Sequence, residues 1–360
     1  MDRRRLLFIA GIISLLVGLA AVLGSARVPP AQIIASMLST TLAVATPLTL
    51  GALCGVWCER AGVVNIGIEG TMLTSAFFGW TAATALATFT TAPAGLCLLG
   101  GVGAAVLSAM LVGLLLSVLA VTFRVDQIIA GVVVDLFAVG VTGFLNRQMM
   151  FDNGGLFGGT VPHSAGVLPH VRIPGLADLP VIGSIFDQQP IAFAGLLLVG
   201  ATHYVLFFTR FGLRVRAAGE HPRAAATVGI DVRRIRHRAV LIGSAIAGLG
   251  GAYFTLESVP SFEPLMTNGR GFIALAAMIF GNWTPIGALG AALLFGSAQA
   301  LQINLQFFRE AIPESLSFLQ QSSIVGLLPY VLTMVVLTGL VGRTTPPAAD
   351  GNPDDGRTSP

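Results

Sequence analysis

Ten apolar runs, most of them near the thickness of a bilayer, dominate this chain of 360 residues and leave it few possible folds. They cover residues 6–23, 33–56, 63–89, 94–121, 128–145, 191–208, 239–256, 272–280, 286–303 and 323–340. A spanning helix needs about 20 mostly apolar residues because the hydrocarbon core is about 30 Å thick. Inside lipid every backbone N–H and C=O must be paired within the protein, which restricts a spanning chain to helices or a closed barrel. The runs lack the two-residue alternation of barrel strands, so helices are expected. Only 10% of the residues are charged, against about 25% in soluble domains, and the mean hydropathy is +0.83. The fold class that follows is an all-α polytopic membrane protein with nine to ten transmembrane helices. The run at 272–280 is too short to cross upright and is bounded by Gly271, Gly281 and Pro285, which predicts a short or broken helix buried against its neighbours.

The arginines set the orientation. If the chain starts inside and ten helices span, thirteen of the twenty fall on the cytoplasmic side and five outside, eight of the thirteen between Arg210 and Arg238, with Arg343 and Arg357 in the tail. That asymmetry follows the positive-inside rule. The N-terminal run follows Arg3, Arg4 and Arg5 and resembles both a first helix and a signal peptide. The first helix is the favoured reading, and cleavage of residues 1–26 is left open. Residues 1–342 then form a transmembrane domain with an external loop at 147–189 and a cytoplasmic loop at 210–238. The tail at 343–360, rich in Pro, Asp and Gly, has no apolar face to bury and is expected to be disordered.

Several functions are excluded or disfavoured. All twenty basic residues are arginine, so no Walker A lysine exists and the chain has no phosphate loop of its own. The net charge of +3 needs no nucleic-acid partner, because the arginines cluster in the short segments between apolar runs. Cys54, Cys58 and Cys97 lack nearby histidines for a zinc site and are read as small packing residues. The five histidines are scattered and assemble no catalytic constellation.

Polar residues at membrane depth are the first candidates for chemistry. In GVWCERAGVVNIGIEGTMLTSAFF, Glu59 and Arg60 mark a cytoplasmic turn, and Asn65 and Glu69 are spaced for one helical face. That pair either clamps two helices or lines a path. Asp126 sits at the interface, whereas Asp135 lies about two turns into its run, where interhelical hydrogen bonding is favoured over a proton relay. An ion-gradient transporter or channel using Glu69 and Asp135 is the alternative that these carboxylates allow. The second candidate is RFGLRVRAAGEHPRAAATVGIDVRRIRHR, in which Pro222 pre-sets a first helical turn and Gly229 ends the helix. A helix of about two turns is too short to stand alone in water, so it must be held by its flanks or docked into a partner.

The segments ERAGVVNIGIEG, DQIIAGVVVDLF, AAGEHPRAAATVGID and AMIFGNWTPIGALGAALLFG occur in that order. Together they resemble the permease subunits of bacterial ATP-binding-cassette (ABC) importers for nucleosides, simple sugars and branched-chain amino acids, and the first is similar to the guanosine and purine-nucleoside branch. The resemblance implies a multi-pass subunit of the bacterial inner membrane. Its partners would be an ATP-binding subunit, a second and different permease, an extracytoplasmic substrate-binding lipoprotein and membrane lipid. ATP and Mg would be bound by the partner, with no cofactor in this chain. It also implies that Gly219, Glu220, His221, Pro222, Arg223, Ala224, Ala225 and Gly229 form the coupling helix that docks into the ATPase. The family pattern often has Asn where His221 and Asp135 stand here, so the helix cap and the membrane-depth contact are expected to differ.

Overall fold

The structure is a computed structural model that describes residues 29–151, 155–157, 163–307, 327 and 344–353. The chain-order elements are α1 (Pro30–Arg60), α2 (Ile68–Phe89), α3 (Ala94–Ser117), which continues as a π turn (Val118–Thr122), and α4 (Gln127–Phe151). Two short strands follow, β1 (Val171–Arg172) and β2 (Asp187–Gln188), then α5 (Pro190–Phe208), α6 (Arg210–Glu220), α7 (Pro222–Thr227) and α8 (Val232–Tyr253) with a π turn (Phe254–Ser258). The last are α9 (Arg270–Phe280) and α10 (Pro285–Phe307). Seven helices among the described residues are long and apolar enough to cross a membrane. The apolar runs at 6–23 and 323–340, the cleavage question at residues 1–26, and residues 354–360 lie outside the described residues, Leu327 excepted.

The chain divides into two compact units. The smaller comprises the first half of α1, residues 170–192 and the second half of α10. A methyl group at Gly296 would lie 2.9 Å from Ala45 Cβ, so α10 runs hard against α1. Ser36 donates to Asn304 Oδ1 at 2.6 Å, and Gln188 Nε2 donates to Ser39 Oγ at 2.9 Å. The strands pair antiparallel with Val171 opposite Gln188. The expected external loop therefore carries local structure, and α4 also extends into its beginning, through Phe151.

In the larger unit α2 is central, packed against α3, α4, α8 and α9. Small residues let the backbones close: a methyl at Gly79 would touch Ala105 Cβ at 3.0 Å, and one at Gly248 would touch Ala109 Cβ at 2.8 Å. In lipid, where burial of apolar surface gives little drive, such close packing and interhelical hydrogen bonds hold helices together. Thr255 supplies one of these bonds, donating to Ala76 O at 3.0 Å. An aromatic cluster of Phe77, Trp80, Phe157 and Phe262 closes one end, with Phe77 and Phe262 edge to face at 5.0 Å. Leucines and isoleucines that a soluble protein would bury lie exposed along α3 and α4, among them Leu107, Leu111, Ile129 and Leu136. Lipid is the solvent those faces suit.

The short apolar run is a half-helix. The eleven residues of α9 span about 16 Å, roughly half the hydrocarbon thickness. It lies along the second half of α1: methyls at Gly51 and Gly55 would meet Ala274 Cβ at 2.8 Å and Met278 Sδ at 2.6 Å. Its end reaches the end of α1, where Trp283 Nε1 donates to Glu59 Oε2 at 2.5 Å and Arg60 Nε donates to Trp283 O at 2.8 Å. Residues 259–283 thus return the chain from the far end of α8 to the arginine-rich face, and the segment counts as a broken crossing.

Candidate functional site

The arginine-rich segment folds as α6, α7 and the first turns of α8 where one short helix was expected. Thr209 caps α6, its Oγ1 accepting from Gly212 N at 3.2 Å. His221, at φ −140° and ψ 76° and so outside the helical region, separates α6 from α7, and Pro222 occupies the first position of α7 as the sequence required. His221 makes no side-chain cap, but its carbonyl accepts the first α7 bond from Ala225 N at 3.0 Å. Gly229 has φ +80°, a left-handed conformation that favours glycine, and Ile230 N closes back on Ala225 O at 3.1 Å. Asp231 then caps α8 through Arg234 N at 3.0 Å.

The eight residues singled out here divide by direction. Gly219, Pro222 and Ala225 are buried and Glu220 is half-buried, whereas His221, Arg223, Ala224 and Gly229 are exposed. A side chain at Gly219 would collide with the carbonyl of Arg60, so glycine is what lets α6 rest on the end of α1. Val228, which the sequence reading did not select, is 74% exposed and adds apolar surface to the outward face of α7. The outward set combines a cation, small side chains and one bare valine on a helix whose other face is anchored, a surface suited to docking against another protein.

At membrane depth the structure separates the pair expected on one helical face. Asn65 precedes α2, in a non-helical turn, because the chain folds back after Arg60 before the helix begins. Its Nδ2 donates to Cys54 Sγ and Cys58 Sγ, both at 3.5 Å, so these thiols serve as acceptors inside the α1 packing. Glu69 stands in the first turn of α2 and reaches the start of α9. Its Oε1 accepts from Gly269 N at 2.8 Å and its Oε2 from Gly271 N at 2.6 Å. A carboxylate across two free N–H groups at a helix N-terminus is favoured by both hydrogen bonding and the helix dipole. Asp135, on α4, does the same for α2, with Oδ1 accepting from Gly70 N at 2.6 Å. Asp126 caps α4 itself through Ile128 N and Ile129 N, at 2.9 and 3.0 Å.

Because Oδ1 of Asp135 acts only as an acceptor, an Asn can do the same work. Asp135→Asn should leave thermal stability within about 0.5 kcal/mol, and Asp135→Leu should lower it by about 1–2 kcal/mol, the usual range for a lost cap. Thermal unfolding of the detergent-solubilised chain measures both.

The expected disorder of the tail does not hold for residues 344–353, where Pro347 and Ala349 are buried against the arginine-rich face. Composition missed this because the contact uses backbone N–H and C=O groups rather than an apolar face. Elsewhere an apolar cavity of about 380 Å³ lies among Trp57, Met110, Thr202, Leu241 and Ile246, with Trp57 Nε1 donating to Thr202 Oγ1 at 3.2 Å. Its lining suits hydrocarbon rather than a polar solute. Among the described residues no three His, Cys, Asp or Glu side chains converge as a metal site.

The geometry is that of a polytopic helical bundle with a half-helix and with a short, outwardly bare helix on its arginine-rich face. The family model described as branched-chain amino acid transport system / permease component matches residues 37–341, and the chain belongs to that family. It is 39% identical over 336 residues to the guanosine ABC transporter permease protein NupQ of Bacillus subtilis, covering 89% of this chain and 97% of that one. The nucleoside ABC transporter permease protein NupC of Lactococcus lactis is 36% identical, covering 88% and 95%. A second Bacillus subtilis guanosine permease, NupP, is 27% identical, covering 74% and 73%. No solved structure matches the chain significantly. The protein is therefore a multi-pass plasma-membrane permease subunit of the ABC transporter type, a transport component rather than an ion-gradient carrier.

Proposed function

We propose that this chain is one of two different permeases in a nucleoside importer, with α7 as the cytoplasmic helix that docks into a separate ATP-hydrolysing subunit. The observation that carries the docking assignment is the two-sided build of α7, anchored by Pro222 and Ala225 and bare at Arg223, Ala224 and Val228. The substrate class rests on NupQ and NupC, named for guanosine and nucleosides and covered by this chain along nearly their whole length. NupQ and NupP, two permeases named for guanosine in one organism, support a pairing of unlike subunits.

In this reading the chain performs no covalent chemistry. ATP and Mg are held by the partner, consistent with a sequence that has no lysine. Closure of the ATPase pair moves α7, and the bundle changes which side is open. A substrate-binding lipoprotein delivers the nucleoside from outside. Glu69 and Asp135 hold helix starts in place, which leaves them structural work rather than proton coupling.

Reconstitution with the ATPase, the second permease and the binding lipoprotein tests the assignment. ATP-dependent uptake of labelled guanosine, adenosine or uridine is expected, with unlabelled nucleosides competing and ribose or glucose failing to compete. Uptake restricted to sugars would overturn the substrate assignment. Gradient-driven uptake by this chain alone, without ATP, would overturn the importer reading itself.

A further inference from the structure

Past the last apolar run, residues 345–352 lie across four separate pieces of the arginine-rich face. Thr345 N donates to Asn282 Oδ1 at 3.0 Å, in the turn that ends α9. Ala348 N donates to Glu220 Oε2 at 3.1 Å and Ala349 N to Gly219 O at 2.9 Å, both at the end of α6. Arg236, in the first turns of α8, donates from Nη1 to Asn352 O at 2.9 Å and from Nε to Ala61 O, just past α1, at 3.1 Å. The segment is built to hold this shape, with Asp350 N bonded to Pro347 O, Asn352 N bonded to Ala349 O, and Gly351 at φ +74°.

The contacts are buried. Arg236 is 1% exposed, Glu59 6% and Ala349 7%. Burial pushes the Asp350 carboxyl up to about 6, opposed by its hydrogen bond with Glu59 and by the charge of Arg236. Glu59 in turn takes the Trp283 N–H, so the tail, α1 and the turn after α9 form one hydrogen-bonded group.

We propose that residues 345–352 are a clasp that joins the docking helices to the half-helix, so that displacement of α6 and α7 by the ATPase is passed through Gly219 and Glu220 to Asn282 and hence along α9. The proposal rests on the docking role of α7. The clasp gives that motion a route: one end of α9 is tied to α6 through the tail, and the other end is tied to α2 by Glu69. Arg236 is a positioning residue in this scheme, holding the clasp from α8.

The test uses the complete importer in nanodiscs or proteoliposomes and reads three quantities: co-purification of the ATPase, ATP hydrolysis, and substrate moved per ATP hydrolysed. Truncation after Thr344 and the single change Ala349→Pro, which removes the N–H given to Gly219, should each leave assembly and hydrolysis within about twofold and lower the transport-to-hydrolysis ratio by about tenfold, the size of a typical interdomain coupling. Truncation after Pro353 keeps the clasp and should leave the ratio unchanged. Ala349→Gly keeps the N–H and should retain the wild-type ratio, which a bulk or expression effect would not explain. An unchanged ratio in the Ala349→Pro and Thr344 variants overturns the proposal. Loss of ATPase co-purification in those variants also overturns it, because the tail would then serve docking or folding and not transmission. If the wild-type complex itself shows no ATP-driven transport, the docking reading fails before the clasp is reached.

Discussion

Replacing Ala224 by Glu should lower ATP-driven uptake about a hundredfold while leaving thermal unfolding of the permease unchanged within about 0.5 kcal/mol. Ala224 is exposed on α7, so the isolated chain has room for the carboxylate and water to solvate it. Docking changes that environment. A charge carried into a protein interface without a partner costs about 3–5 kcal/mol, and about 1.4 kcal/mol corresponds to each factor of ten in affinity. Ala225→Glu is the internal contrast. Ala225 is 4% exposed and faces the bundle, so a carboxylate there should lower the unfolding temperature of the chain before any partner is added. Uptake, co-purification of the ATPase and differential scanning fluorimetry on both variants separate the two faces. Equal effects on folding, or full transport by Ala224→Glu, would refute the docking assignment.

Glu69→Ala should give the largest loss of stability among the membrane-depth changes. It leaves the N–H groups of Gly269 and Gly271 without their acceptors at the start of α9. An unsatisfied buried donor costs about 1–3 kcal/mol, so the two together give about 2–6 kcal/mol, toward the lower end because Glu69 is only half-buried. The N-terminal dipole of α9 also loses its anion. Glu69→Gln should recover part of that loss, since the amide oxygen satisfies one N–H while its NH2 group faces the other. Thermal unfolding in detergent gives the order wild type, Gln, Ala, and uptake should fall in the same order as α9 loses its anchor. A Gln variant as impaired as Ala would show that the charge, and not the acceptor geometry, holds the half-helix.

The sequence reading and the structure part company at identifiable residues. Pro222 and Gly229 announced α7 because each acts through its own backbone: one fixes φ and lacks a donor, the other accepts a left-handed turn. The shortness of the run at 272–280 announced a half-helix for an equally local reason, since length limits what a helix can cross. Asn65 and Glu69 misled, because the four-residue spacing puts them on one face only if the helix is continuous through both. The backbone between Arg60 and Ile68 turns instead, and the Asn65 amide is spent on two cysteines. The tail misled for the opposite reason. Pro, Asp and Gly are poor core formers, yet backbone groups and a buried arginine anchor residues 345–352 without a core.

Membrane residence, helical class, the clustering of the arginines and the position of the short helix after Pro222 were all determined by sequence alone, since each depends on hydropathy, charge or backbone preference over a few consecutive residues. Tertiary structure alone decided that Glu69 holds a helix start 200 residues away, that Asp135 holds another, and that the C-terminal segment lies on Gly219 and Arg236. The physical reason is that a polar group removed from water must take whichever partner the packed helices bring within about 3 Å, and no local pattern names that partner.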